Sequence, residues 1–271
     1  MTTGKASTLA GAAFALRRHW PEYLMEAAGL GLFMVAACLT TVALEHPSSP
    51  VRAAFPDELA RRAAAGAAMG LTAVALISSP WGQRSGAHMN PGVTLAFWTL
   101  GKIDTADALF YALFQFAGGI AGVAAAARLM GGAVGHPSVN YAVTAPGAAG
   151  TAVAWVAELA LSFGLLLAVL ATSNSRAARW TPYIAGALLA VYITAEAPLS
   201  GMSINPARTY GSAYVAGQFP SLWIYFTAPP LGMLLAARAY RARRGLAGVY
   251  CAKLHHHNRR RCIFRCNYGA L

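Results

Sequence analysis

Charged residues are scarce in this 271-residue sequence: they make up 11% of it, and only nine are Asp or Glu. A soluble domain carries about 25% charged residues, so too few are present here to cover a water-facing surface. Hydrophobic residues are correspondingly abundant, at 57%. This composition excludes a soluble enzyme and a disordered chain, and it indicates an integral membrane protein.

Cysteine is also sparse, with four in the whole chain: Cys38, Cys251, Cys262 and Cys266. Four cysteines in a chain of this length do not make a disulfide scaffold. The last three share the C-terminal stretch with a run of three histidines, and Cys/His tracts can bind zinc. Their spacing fits no standard zinc site, so we predict no metal and no cofactor, and expect a solvated basic tail near anionic lipid.

The positive charges, which give a net charge of +12, are confined to particular segments. They cluster in the first 18 residues and again between Arg238 and Arg265, whereas the interior is nearly free of them. This distribution is typical of segments that flank a membrane and not of a phosphate-binding surface. We therefore expect no nucleic-acid partner.

Six apolar runs are long enough to cross about 30 Å of hydrocarbon. They lie at 21–44, 61–79, 107–130, 150–172, 180–197 and 221–240. Two shorter stretches, 90–99 and 205–213, would rise only about 13 Å as helices, so we predict two re-entrant half-helices. About 16 of the 21 basic residues fall on the side of both termini, which predicts cytoplasmic termini.

An internal repeat relates the two halves of the chain. SGAHMNPGVT at 85–94 and SGMSINPART at 200–209 agree at five of ten positions, 115 residues apart. Glu26 in the first span and Glu158 in the fourth precede the two copies. Each half thus holds three spans, and because three is odd the second half must be inverted. Inverted repeats with interrupted helices in matching positions place a site near the bilayer midplane.

The Asn-Pro pair in each copy is suited to starting a helix, because Asn is a preferred N-cap and Pro is tolerated at the first helical position. Two such starts would point positive dipole ends at the bilayer centre. Asn90 and Asn205 would there donate N–H groups to a passing oxygen atom, and the dipoles would disfavour cations. Arg208, one turn further on, is an intramembrane charge and hence a functional candidate.

On these motifs the sequence resembles the major intrinsic protein family, the aquaporins and aquaglyceroporins, over residues 20–240. The resemblance implies an all-α membrane protein with six transmembrane helices and two half-helices in an inverted 3+3 repeat. It implies a homotetramer in the plasma or inner membrane that passes water and small neutral solutes through one pore per subunit. The expected layout is a cytoplasmic segment (1–19), a channel domain (20–245, with repeats at about 20–130 and 150–245) and a basic cytoplasmic tail (246–271).

The resemblance also assigns site residues, in three groups. The central constriction is formed by two triplets: Asn90, Pro91, Gly92 and Asn205, Pro206, Ala207. The outer selectivity filter consists of Arg208, Ile193, Met202 and Met69, with Gly70 as the alternative to Met69. The inner vestibule is lined by His88, and the re-entrant loops are braced by Glu26 and Glu158.

Departures from the family pattern concern the solute. Gly92 stands where alanine is usual, and the filter lacks the aromatic residue and histidine of water-selective members. Thr209 follows the arginine where glycerol-type members usually carry aspartate. The filter fits neither subgroup, and we expect it to be wide and apolar. A facilitator mainly for glycerol, urea, ammonia or a metalloid acid is the alternative to a water channel.

Three other classes of function are weighed against a passive channel. Glu26 or Glu158 would serve a proton-coupled transporter, which replacement by glutamine would reveal through lost uphill accumulation. An enzyme is not expected, because the spans offer no metal-ligand cluster, nucleophile–base pair or cofactor loop. The intact Asn90, Asn205 and Arg208 argue against a purely structural protein. Deleting residues 250–271 is expected to leave transport intact.

Overall fold

The computed structural model describes residues 3–256 and 258–268, with side chains from residue 11 onward. Every regular element in this part of the chain is a helix. Eight helices form the frame: α1 (Thr3–Glu45), α2 (Glu58–Ser78), α3 (Pro91–Thr99), α4 (Thr105–Met130), α5 (Thr151–Ser173), α6 (Thr181–Ser200), α7 (Pro206–Ala216) and α8 (Leu222–Arg244). Short helical segments at Pro50–Ala54, Pro80–Ser85 and Gly132–Gly135 lie in the connections.

Six of these helices are long enough to cross a membrane, as predicted. Five of them are also apolar enough to cross a membrane: Gly11–Glu45, Glu58–Ser78, Thr105–Met130, Thr151–Ser173 and Ala178–Ser200. The sixth, α8, is less apolar and contains Pro229 and Pro230, yet its 23 residues rise about 34 Å. The half-helices α3 and α7 have only 9 and 11 residues. The predicted architecture is confirmed, although α1 begins well before residue 21.

The packing of the helices follows the inverted repeat. In the first half α1 packs along α4, and in the second half α5 packs along α8 in the same way. The two halves meet where α2 packs against α6. Each half-helix also contacts the last long helix of the other half, α3 with α8 and α7 with α4. The two halves are therefore interlocked around a shared centre.

Glycines allow the closest helix crossings. A Cβ atom on Gly122 of α4 would lie 2.3 Å from the carbonyl oxygen of Gly31 in α1. A Cβ atom on Gly70 of α2 would lie 2.5 Å from the carbonyl oxygen of Gly186 in α6. Small residues let helix backbones approach in this way inside a membrane. The Gly70 contact also fixes the rotation of α2, so that Met69 faces the interior.

The tail segment consists of residues 249–256 and 258–268. It folds against the end of the helix bundle where α8 ends, which we call the tail side. The buried members include Val249, Cys251, Ala252, Leu254 and Phe264. The prediction of a solvated tail is therefore wrong for the described residues; His257 and residues 269–271 lie outside them. The apolar residues of this segment are scattered among basic ones without helical or strand periodicity, so the sequence pattern did not reveal a buried face.

Candidate functional site

Two loops fold back into the bundle immediately before α3 and α7. Both have the same unusual backbone: φ is positive at Ala87 and Met89 in the first loop and at Met202 and Ile204 in the second, with values of 44° to 56°. Left-handed backbone is costly for residues other than glycine, and most of all for a β-branched residue. The surrounding hydrogen bonds must therefore hold both loops in shape.

Glu26 of α1 holds the first loop from a fully buried position. Its carboxylate accepts hydrogen bonds from the backbone N–H groups of His88 (3.1 Å) and Met89 (2.5 Å). It also accepts from the Ser85 hydroxyl (2.6 Å) and the Gln115 amide (2.8 Å). All four partners are donors, which an acceptor-only carboxylate satisfies. These are the contacts that a bracing residue requires.

Glu158 of α5 holds the second loop in the same manner. It accepts hydrogen bonds from the Ser200 hydroxyl (2.8 Å) and from the backbone N–H groups of Ser203 and Ile204 (both 2.6 Å). Both oxygens accept hydrogen bonds from the loop, and these are the contacts that a bracing residue requires.

Two tyrosines complete this support, and the sequence reasoning missed them. The Tyr111 hydroxyl donates to the carbonyl oxygen of Ser85 at 2.5 Å, and the Tyr225 hydroxyl donates to that of Ser200 at 2.6 Å. They lie 26 and 25 residues after their serines, each in the last long helix of its half. Because the two spacings are nearly equal, an alignment of the two halves of the sequence could have identified both tyrosines.

Asn90 and Asn205 lie where the two loops meet. The side-chain oxygen of each caps its own half-helix, at 2.8 Å and 3.0 Å from the N–H two positions on. The amide nitrogen of Asn90 donates to the carbonyl oxygen of Ile204, and that of Asn205 to the carbonyl oxygen of Met89, both at 2.7 Å. An amide nitrogen carries two hydrogens, so each asparagine retains one N–H for a molecule in the centre.

The other members of the two triplets shape the helix starts and do not line the cavity described next. Pro91 and Pro206 occupy the first helical positions, where a missing N–H costs nothing. A Cβ atom on Gly92 would lie 2.8 Å from the sulfur of Met233. The side chain of Met233 thus occupies the space that alanine would need, which gives the departure at Gly92 a packing reason.

A cavity of about 210 Å³ lies between the two halves. Seven of the predicted site residues line it: Met69, His88, Asn90, Ile193, Met202, Asn205 and Arg208. Gly70, the alternative to Met69, is not among the lining residues and packs against α6 instead. The aromatic ring of Phe33, which the sequence reasoning missed, also lines the cavity.

Arg208 lines this cavity, and one nitrogen of its guanidinium group is buried without a partner in the part of the chain that the structure describes. Its backbone N–H donates to the Asn205 side chain at 3.2 Å. Its Nη1 atom is buried and has no hydrogen-bond partner among the described residues. None of the ion pairs formed by those residues includes Arg208. A buried donor without a partner is costly, so Arg208 carries hydrogen-bonding capacity that the described residues do not satisfy.

The tail segment reaches the other end of the cavity. Leu254 lines it, and its N–H donates to the carbonyl oxygen of Gly86 at 3.1 Å. The Nε2 atom of His88 lies 2.7 Å from the carbonyl oxygen of Ala252, and the ring of Phe264 stacks on the imidazole at 5.5 Å. Since a carbonyl oxygen only accepts, Nε2 is the donor. The predicted vestibule histidine is thus covered by the tail segment.

Charged groups hold the two parts of the tail segment together and join the segment to the bundle. Lys253 is buried and donates to the carbonyl oxygens of Arg260 (3.1 Å) and Arg261 (2.8 Å); burial lowers the pKa of its ammonium group. Arg261 lies 3.5 Å from the carboxylate of Glu22. A second ion pair joins Arg265 to Asp104 at 2.5 Å. These contacts reach α1 and the α3–α4 connection.

Comparison with known proteins gives concordant results. The family model described as Major intrinsic protein matches residues 14–240. Aquaporin NIP1-3 of Oryza sativa subsp. japonica is 38% identical over 174 residues, 63% of this chain and 58% of that protein. Aquaporin-5 of Sus scrofa is 35% identical over 216 residues, 73% of this chain and 72% of that protein. The X-ray structure of the aquaglyceroporin from Plasmodium falciparum matches with a TM-score of 0.66 and 19% identity over 82% of this chain and 95% of that chain.

These matches differ in what they cover. The chain spans 56% to 62% of the length of the plant relatives that it matches. The solved structure, at 19% identity, supports the fold. The family model covers the helix bundle, including both Asn-Pro motifs, and ends before the tail segment. The chain belongs to the major intrinsic protein family.

Proposed function

We propose that the chain is a passive channel for water and small uncharged solutes that excludes protons and ions. The observation that carries this proposal is the meeting of Asn90 and Asn205 in the cavity, each with one unused N–H. A water molecule bound to both would direct its own hydrogens outward, which breaks a proton relay at this point. The N-termini of α3 and α7 add positive dipole ends that disfavour cations.

The wall near Arg208 supports a neutral solute. Met69, Ile193 and Met202 are apolar, so the guanidinium group is the main donor among these four residues. This combination suits a molecule with a few hydrogen-bonding atoms and an uncharged body. It favours a second candidate function, that of a facilitator mainly for glycerol or another small neutral solute.

The outer face of the bundle supports a membrane setting and an assembly. Large apolar side chains such as Leu71, Leu109, Leu113 and Leu129 are 62% to 78% exposed. Lipid or neighbouring subunits would cover these side chains in a bilayer. On the family membership we also propose a homotetramer with one pore in each subunit, in the plasma or inner membrane.

The test is stopped-flow light scattering on proteoliposomes that contain the full-length chain. A sucrose step measures osmotic shrinkage, a glycerol step measures re-swelling, and a pH-sensitive dye reports proton entry. We expect shrinkage faster than in empty liposomes, with no added proton flux. Fast re-swelling would establish the facilitator as the main function. Uphill solute accumulation driven by a pH gradient would contradict a passive channel.

A further inference from the structure

Four potential metal ligands converge in the tail segment. The ligand atoms of Cys251, His256, Cys262 and Cys266 all lie within 4.8 Å of one another. The sulfur atoms of Cys251 and Cys262 are 3.5 Å apart, and that of Cys266 is 3.1 Å from His256 Nε2. A tetrahedral zinc ion with bonds of about 2.3 Å holds its sulfur ligands about 3.8 Å apart. The four ligand atoms therefore lie close enough together to surround one ion.

The donor set identifies the class of ion. Three cysteines and one histidine form the Cys₃His set of structural zinc sites. Thiolate ligands select zinc over magnesium and calcium, which prefer oxygen. Lys253, two positions after Cys251, is buried in the same segment and donates to the carbonyl oxygens of Arg260 and Arg261, just before Cys262. It thus joins the stretch that carries the first cysteine to the stretch that carries the second.

Groups around the ligands orient them and join them to the bundle. The ring of Tyr268 stacks on His256 at 4.3 Å, and its hydroxyl donates to the carbonyl oxygen of Ser173 at 2.5 Å. The Asn174 side-chain oxygen accepts the N–H of Tyr250, the residue before the first cysteine, at 2.6 Å. Such outer contacts fix the geometry of metal ligands. Here they tie the ligands to the end of α5.

The tail segment is irregular in structure. Its described residues form no α-helix or strand, and small irregular units commonly depend on a metal or disulfide for stability. Leu254 lies between Cys251 and His256 in sequence, so an ion bound by both would fix the backbone on each side of it. The position of this side chain in the cavity is thereby coupled to the four ligands.

We propose that Cys251, His256, Cys262 and Cys266 bind one zinc ion, which holds the tail segment in the tail-side mouth and so closes the pore. The closing role rests on the proposed channel function, whereas the metal site does not. Loss of zinc would release Leu254 from the mouth and Ala252 from His88, and would leave the helix bundle intact.

Metal binding is tested on the full-length chain in detergent, loaded with Zn²⁺ or with Co²⁺ as a spectroscopic probe. We expect one metal per chain and the absorption of tetrahedral cobalt with thiolate ligands. Cys262→Ser and Cys266→Ser should lose both, whereas Cys38→Ser, which alters a buried cysteine of α1 far from the cluster, should retain them. A metal-free protein with a Cys251–Cys262 disulfide, or a cobalt spectrum unchanged in Cys262→Ser, would overturn the site.

Closure is tested by water permeability of proteoliposomes made from the same proteins. EDTA on both sides of the membrane should raise the permeability of the wild type several-fold, and added Zn²⁺ should reverse the change. Cys262→Ser should show the high water permeability with or without zinc. Cys38→Ser should respond to EDTA and to zinc as the wild type does. Leu254→Ala should keep its metal and still conduct faster, which separates closure from binding.

Two results would overturn closure in different ways. Equal permeability of the wild type with and without zinc would refute it even if the metal site is confirmed. If the wild type with EDTA, Cys262→Ser and Leu254→Ala all remain at the level of empty liposomes, the channel proposal itself fails. The cobalt spectra would then still decide the metal site independently.

Discussion

Arg208 is the residue whose environment bears most directly on selectivity. Arg208 lines the cavity, its Nη1 atom is buried without a hydrogen-bond partner, and none of the ion pairs among the described residues includes it. Replacing it by valine removes the charge and shortens the side chain. We expect Arg208→Val to widen the filter and to raise leakage of cations and larger neutral solutes several-fold. Flux assays with ions, urea and glycerol measure this change.

The matched control for that variant is Arg176→Val, which removes an exposed arginine from the α5–α6 connection. This control should leave every flux at the wild-type level. If Arg208→Val shows the same selectivity as Arg176→Val, the filter role assigned to Arg208 is wrong.

Glu158 offers a second prediction at this scale, on stability. In Glu158→Gln one carboxylate oxygen becomes an NH₂ group that faces a donor of the second loop, so at least one hydrogen bond to a charged group is lost. Such bonds contribute about 1.5–3 kcal/mol each, and we expect thermal unfolding in detergent to shift accordingly. Glu58→Gln, at an exposed i,i+4 ion pair, should change stability by at most about 0.5 kcal/mol.

How far single residues are predictable from sequence depends on how local their surroundings are. Asn90 and Asn205 were predictable because an Asn-Pro pair starts a helix by local chemistry. The carbonyl partners of their amide nitrogens were not, because these lie 114 and 116 residues away. The cysteine–histidine cluster escaped prediction for a similar reason: its spacing is irregular, and only the folding of the tail segment brings the ligands together.

At the scale of elements, the glycine contact between α2 and α6 is open to a direct test. A Cβ atom on Gly70 would lie 2.5 Å from the backbone carbonyl oxygen of Gly186. A backbone atom cannot move aside as the end of a side chain can. We expect Gly70→Ala to separate the helices, to cost about 1–3 kcal/mol and to alter water permeability by displacing Met69. Thermal unfolding and stopped-flow scattering measure the two effects.

Gly11→Ala serves as the control for this contact. Nothing lies within 4 Å of a Cβ atom at that position, and alanine favours the helix, so stability should stay unchanged or rise slightly. An equally stable Gly70→Ala protein with normal permeability would contradict the close crossing.

The elements themselves were largely predictable, because hydrophobic length is a strong signal in a membrane. Both half-helices begin within one residue of the predicted position, at Pro91 and Pro206. The start of α1 was not predicted, since the part before residue 21 carries Lys5, Arg17 and Arg18 and continues as helix outside the apolar run. The tail segment was misjudged because buried irregular backbone has no periodicity to recognise.

For the molecule as a whole, charge predicts an orientation. The sequence assigns about 16 of the 21 basic residues to the side of both termini. From the positive-inside rule we predict that the tail segment faces the cytoplasm, where thiols stay reduced and available to a metal. A reporter that functions only in the cytoplasm should be active when it is fused to the C-terminus. Activity of a C-terminal reporter that functions only outside the cell would contradict the predicted orientation.

The reciprocal bonds of Asn90 and Asn205 have a consequence for the direction of flow. Each asparagine donates to the opposite loop at the same distance, so a molecule arriving at the centre meets the same groups from either face. Such a centre does not favour flow in either direction, and net movement there follows the solute gradient alone. Any difference between inward and outward flow must therefore originate at the two ends of the cavity, which differ in their lining: Arg208 lies at one, and Leu254 of the tail segment lies at the other.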